Sequence, residues 1–124
     1  MTENVIEVFA DIVCPFTHVG LARFVQRRGE LGRDDVRLVV RALPLELVNG
    51  EPMDPAAVAA KVDRLRSQVS PDLFARFDPS QFPATSLPAL ALTNAAYRHD
   101  PATGEAVALE LRGLLFDDGV DVSR

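Results

Sequence analysis

The sequence predicts an α/β fold: a βαβ unit over residues 1–53, a helical segment over residues 54–124, and a sheet left incomplete. Three observations carry this expectation. Two runs rich in β-branched residues, "VIEVFADIV" and "DVRLVVRAL", read as strands. The stretch between them has apolar residues at helical spacing. After the second run the chain changes to proline-punctuated amphipathic segments of helical period, with no further strand signal.

The first strand spans residues 5–13 and, being mostly apolar, is expected to be buried. Pro15 suits the first turn of a helix, where its missing N–H is not needed. Phe16, Val19, Leu21, Phe24 and Val25 give that helix its apolar positions, with an end near Gly29 or Gly32. Residues 35–43 form the second strand. Strand, helix and strand of this length make a βαβ unit, expected to be parallel and right-handed. "PLELVNGEPMDP" reads as a loop with turn signals at Asn49-Gly50 and Glu51-Pro52. Asp54 is placed to cap a helix that starts at Pro55, with Val58, Val62, Leu65 and Val69 as its stripe. The segment 70–88 is expected to hold one short helical turn. A helix follows over 88–98, with Leu90, Asn94 and Tyr97 on one face. Beyond the "HDPATG" turn, Val107, Leu111, Leu114 and Leu115 define a last amphipathic helix. Two parallel strands with one crossover make a poor sheet, because parallel sheets need both faces covered and usually more strands.

The chain has 124 residues, enough for one modest core. Thirteen basic and 18 acidic residues leave a net charge of -5, which argues against nucleic acid or an anionic membrane as partner. The basic runs "RFVQRRG" and "DRLRSQ" read as solvated helix faces. No stretch approaches the roughly 18 apolar residues of a membrane span. The N-terminal residues lack a signal peptide's basic region and apolar core, so the expected location is cytoplasmic. A single cysteine excludes an internal disulfide. His18 and His99 with scattered carboxylates make no recognisable metal set. Asp117, Asp118 and Asp121 lack the spacing of a calcium loop and read as a solvated turn. No metal and no resident cofactor are expected. Phe74, Phe77, Phe82 and Tyr97 read as core.

Cys14 is where chemistry concentrates. It lies where the first strand ends and a helix begins. The unpaired N–H groups and positive dipole end of a helix N-terminus favour a thiolate, the reactive form. The carboxyl end of a strand is also where open α/β sheets place their crevices. Thr17 could donate a hydrogen bond to the sulfur, and His18, one turn on, could add positive charge. The alternative is a small buried hydrophobe, which free cysteines often are. His18 alone reads first as a surface or packing residue.

"FADIVCPFTHVGLARF" resembles the active-site segment of the DsbA-like branch of the thioredoxin superfamily, especially its FrnE-type oxidoreductases. That family carries a strand, then Asp-x-x-Cys-Pro-Trp-Cys-Tyr-x-Gly, then a helix. Asp11, Cys14, Pro15, Phe16, Thr17, His18 and Gly20 fall on this pattern in order. The family inserts a helical subdomain after its second strand. Residues 54–124 are similar to that insertion, and "LRGLLFDDGVDV" to its later helix and ending. The resemblance implies a thioredoxin-like βαβ unit with a DsbA-type insertion. It implies Cys14 as nucleophile, Thr17 and His18 as its helpers, and Pro15 and Phe16 as walls of the substrate cleft. Two departures modify this. Thr17 stands where the family has its second cysteine, and a dithiol oxidant needs that partner to resolve its mixed disulfide. What remains is monothiol chemistry with a protein disulfide or a small thiol, glutathione or mycothiol serving as co-substrate. Secondly, the family's third strand follows a cis-proline loop, and no proline follows Pro101. The expectation is therefore an amino-terminal portion of such a domain, associating with further copies through its unpaired sheet edge. Two other functions stay open: a non-catalytic thioredoxin-like binding module, and a glutathione-dependent isomerase or transferase related to the kappa class.

Overall fold

The computed structural model describes residues 4–123. Two strands, β1 (Asn4–Ala10) and β2 (Val36–Ala42), flank the helix α1 (Pro15–Glu30). The strands pair in parallel with Ile6 opposite Leu38 and Ala10 opposite Ala42. The helices α2 (Leu45–Asn49), α3 (Pro55–Gln68), α4 (Leu87–His99) and α5 (Pro101–Phe116) follow, with a 3-10 turn at Pro79–Gln81. The mixed α/β class is as expected, and the sheet among the described residues has these two strands only.

Side chains alternate across the sheet. Ala10, Leu38 and Val40 pack with Leu21 of α1 and Ala108 of α5 on the face that carries the helices. The other face holds Val5, Glu7 and Phe9 beside Arg37, Val39 and Arg41. Val5 is 54% exposed and Phe9 62%. The expectation of a buried first strand is thus corrected: only one face of β1 has a layer against it. β1 is also shorter than expected, because residues 11–13 turn toward α1.

Several start signals act as read. Pro15 opens α1, and Asp54 accepts from the Ala56 N–H at the head of α3. Gly50 ends α2 at φ 81°, a conformation glycine adopts without penalty. Other readings change. Residues 45–49 form a short helix where a loop was expected. Val69 lies just past α3 and is 46% exposed, so it leaves the apolar stripe. Asn94 is exposed, and α4 buries Ala89, Leu90, Thr93 and Ala96. The "HDPATG" stretch is a shared junction: Asp100 ends α4 and caps α5 by accepting from the Thr103 N–H.

The larger core lies beneath the carboxyl end of the sheet. It joins Ile12, Val13 and Val19 to Val58, Val62 and Leu65 of α3, to Phe74, and to Leu115 and Phe116 of α5. Residues on both sides of position 54 therefore share one apolar interior. The basic runs are more than solvated faces. Arg28 forms a paired bond with Glu105 at 2.6 and 2.9 Å, and Arg23 donates to the carbonyl of Val69. Arg66 donates to the carbonyl of Phe74. No helix among the described residues is long and apolar enough to cross a membrane.

Candidate functional site at the strand-to-helix junction

Asp11 builds the junction. Its carboxylate accepts from the N–H of Leu45 at 2.7 Å, at the start of α2, and from Val13 within the turn. Being 1% exposed, it fixes the direction in which the chain leaves β1. Cys14 then takes the N-cap position of α1 with extended backbone and no side-chain capping bond. Its sulfur therefore leaves the N–H groups of the first turn uncapped by its own residue. Cys14 is half-buried.

Arg112 lies on the protein side of this junction. It is 1% exposed, donates from Nη1 to Ala108 O at 2.8 Å and from Nη2 to Asp11 O at 3.3 Å, and its Nε has no partner among the described residues. Burial pushes the guanidinium down to about 10, while the negative charges of Asp11, Tyr97 and Cys14 act in the opposite direction. The sequence reading missed Arg112. Its signal was an arginine four residues after Ala108, on the same helical face and between leucines.

The expected site residues divide into separate settings. Pro15 is buried at the first position of α1. Phe16 is 53% exposed and, with Thr17, lines an apolar groove of about 370 Å3 completed by Val8, Gly20, Leu21, Phe24 and Leu38. Cys14 does not line that groove. No hydrogen bond joins Thr17 to Cys14 among the described residues. His18 is 6% exposed and turns into the helical part. Its Nε2 meets the Asp117 carboxylate at 3.0 and 3.1 Å. Its ring stacks on Phe116 and meets Phe74 edge-on, each at 5.4 Å between centroids.

No family model, curated protein or solved structure matches this chain.

Asp117 corrects another reading. It belongs to an internal hub, where its carboxylate also accepts from the Phe74 N–H at 2.8 Å. Phe74 is fully buried at φ 66°, which is strained for a residue with a Cβ. Asp117 on its N–H and Arg66 on its carbonyl hold it there. No cluster of metal-ligating side chains occurs among the described residues.

Proposed function

We propose that this chain is a DsbA-like member of the thioredoxin superfamily, with a monothiol Cys-Pro-Phe-Thr site reacting with a small thiol or a disulfide substrate. The observation that carries the reading is Cys14, half-buried at the N-cap of α1 with no side-chain capping bond and directly before Pro15. The strand–Cys–Pro–helix–parallel strand order and the helices after β2 support the family assignment. The exposed ring of Phe16 beside the cysteine supplies an apolar surface for a substrate.

The chemistry is disulfide exchange. The Cys14 thiolate attacks one sulfur of a disulfide RS–SR. That S–S bond breaks, a Cys14–S–S–R bond forms, and RS⁻ leaves and takes a proton from water. The thiolate of a different small thiol, R′S⁻, then attacks the outer sulfur of the mixed disulfide, releases the Cys14 thiolate and leaves as R–S–S–R′, so that the sum is RS–SR + R′S⁻ → RS⁻ + R–S–S–R′. With no second cysteine, release depends on that external thiol. His18 acts as a positioning residue, since its ring is bound to Asp117.

Incubation with oxidised glutathione or oxidised mycothiol, followed by intact-mass measurement, tests this. The expected result is one adduct per chain, reversed by the reduced thiol and lost in Cys14→Ser. Absence of any adduct, with alkylation no faster than for an unstructured cysteine peptide, would overturn it. A second reading has its own observation: the apolar groove at Phe16 and Thr17 does not include Cys14. In that case the chain is a binding module, and Cys14→Ser binds its ligand as the parent does.

A further inference from the structure

Asn4, Asn49 and Asn94 are the asparagines of the chain, and they precede valine, glycine and alanine. A side chain on the following residue crowds the approach of its nitrogen to the asparagine Cγ; glycine leaves that approach open. Asn49 ends α2, a helix of five residues that buries none of them. The first turn of α2 is anchored: Asp11 accepts from the Leu45 N–H, and Glu46 accepts from the Thr85 hydroxyl and the Ser86 N–H. Its end is not. Leu47, Val48, Asn49 and Gly50 are exposed, and nothing lies within 4 Å of where a Cβ on Gly50 would stand. The residues that end α1, α3, α4 and α5 each donate their backbone N–H back into the helix. The Gly50 N–H has no acceptor among the described residues. A helix this short does little to hold the dihedrals of its last residue, and an exposed N–H without a hydrogen bond yields its proton readily to base.

The comparable positions are held. Asn4 Nδ2 donates to Asp35 at 2.8 Å. Asn94 lies inside α4, where the next N–H, that of Ala95, belongs to the helical ladder. Asp118-Gly119, the acidic counterpart, is fastened on both sides: Arg76 N–H donates to Asp117 O, Asp118 N–H to Gly113 O, and Val120 N–H to Leu114 O.

We propose that Asn49-Gly50 is a modification site, at which the chain rearranges spontaneously in water. Base removes the Gly50 N–H proton, and the nitrogen attacks Asn49 Cγ. The N–Cγ bond forms, the Cγ–Nδ2 bond breaks, and ammonia leaves with a proton from water, closing a succinimide. Water then adds to one ring carbonyl. Addition at Cγ breaks the new N–Cγ bond and gives aspartate. Addition at the main-chain carbonyl breaks the original peptide bond and gives isoaspartate, with a backbone lengthened by the Cβ methylene. The sum is amide plus water to carboxylate plus ammonium, with nothing oxidised or reduced. Either product places a carboxylate at the carbonyl end of α2, where negative charge is unfavourable. The inference stands on α2 and is independent of any thiol chemistry at Cys14.

The test is incubation of the full chain at mildly alkaline pH, then proteolysis, chromatography and mass measurement of the peptide that holds residue 49. Two products should appear, each heavier by the exchange of NH2 for OH, with isoaspartate in excess and a matching release of ammonia. The rate should rise with hydroxide and exceed that at Asn94, read in the same digest, about tenfold or more. Asn49→Gln should abolish both products, because the longer side chain would have to close a larger ring. Unfolding in urea should change the Asn49 rate by less than about threefold, since the end of α2 offers no protection. Conversion at Asn49 no faster than at Asn94 overturns the inference. So does a residue 49 that stays intact in the folded chain while the urea-unfolded chain converts there.

Discussion

At the residue scale, Asp117 reaches furthest for its size. One carboxylate holds the Phe74 N–H and the His18 ring, residues far apart in sequence. Asp117→Ala leaves a buried backbone donor without its acceptor and frees a strained φ. We expect a loss of about 2–3 kcal/mol in urea unfolding, with the exposed neighbour Asp118→Ala as a near-neutral control. Arg112 behaves in the opposite sense. Replacing a buried, incompletely bonded cation by an apolar side chain of similar volume is often neutral or stabilising. Arg112→Met should therefore match or exceed the parent in urea unfolding and yet slow alkylation of Cys14. Equal alkylation rates would remove Arg112 from the proposed chemistry. These residues also mark how much of the site was legible. Cys14, Pro15 and the cap geometry could be read locally, because a strand end, a proline and a helical period lie within a few positions. The partners of His18 could not, since Asp117 is 99 residues away and no periodicity encodes which side chain a turn presents.

At the element scale, strand and helix existence followed from the period of apolar residues, whereas exposure did not. The odd positions of β1 are as apolar as the even ones, so pattern alone reads them as buried; only the absence of a layer on that face exposes them. The β2 edge depends on α4 through one hydroxyl. Tyr97→Phe leaves Val40 N–H and Leu38 O without that partner, and we expect a loss of about 1 kcal/mol in thermal or urea unfolding. Gly104 explains how close that ring sits: a Cβ there would fall 2.2 Å from the Tyr97 ring, so Gly104→Ala should cost more than Tyr97→Phe. The short helix α2 is tied by Glu46, whose carboxylate accepts from the Thr85 hydroxyl and the Ser86 N–H. The Thr85 bond, then the Ser86 bond, hold its carboxyl below the ordinary value of 4.5. A depressed carboxyl contributes stability that is present above the unfolded value and lost as pH falls through the folded one. Stability should thus decline on acidification below about pH 4.5, and Glu46→Gln should flatten that part of the urea-midpoint profile. An unchanged slope would assign the acid sensitivity to other carboxylates.

At the scale of the whole molecule, the sheet cannot stand without the helical segment. Two strands of seven residues bury little by themselves, and a lone parallel pair has no independent stability. Their support comes from α5, which places Ala108 under β2, carries Glu105 to Arg28, and continues into Phe116 beside His18. The interior is therefore continuous across residues 53 and 54, and the chain should unfold in one step. The composition supplies a probe for this. Tyr97 is the sole tyrosine and there is no tryptophan, so intrinsic fluorescence reports one place, the seam between α4 and β2. Far-ultraviolet circular dichroism reports the helices. In an all-or-none transition the two signals coincide. We expect a single urea midpoint by both probes, and a shared shift when Asp117→Ala weakens the hub at the C-terminal end of α5, whose first turns meet Tyr97 at Gly104. If the fluorescence midpoint falls well before the dichroism midpoint, the β1–α1–β2 unit detaches from a helical part that persists alone, and the continuous core does not act as one cooperative unit.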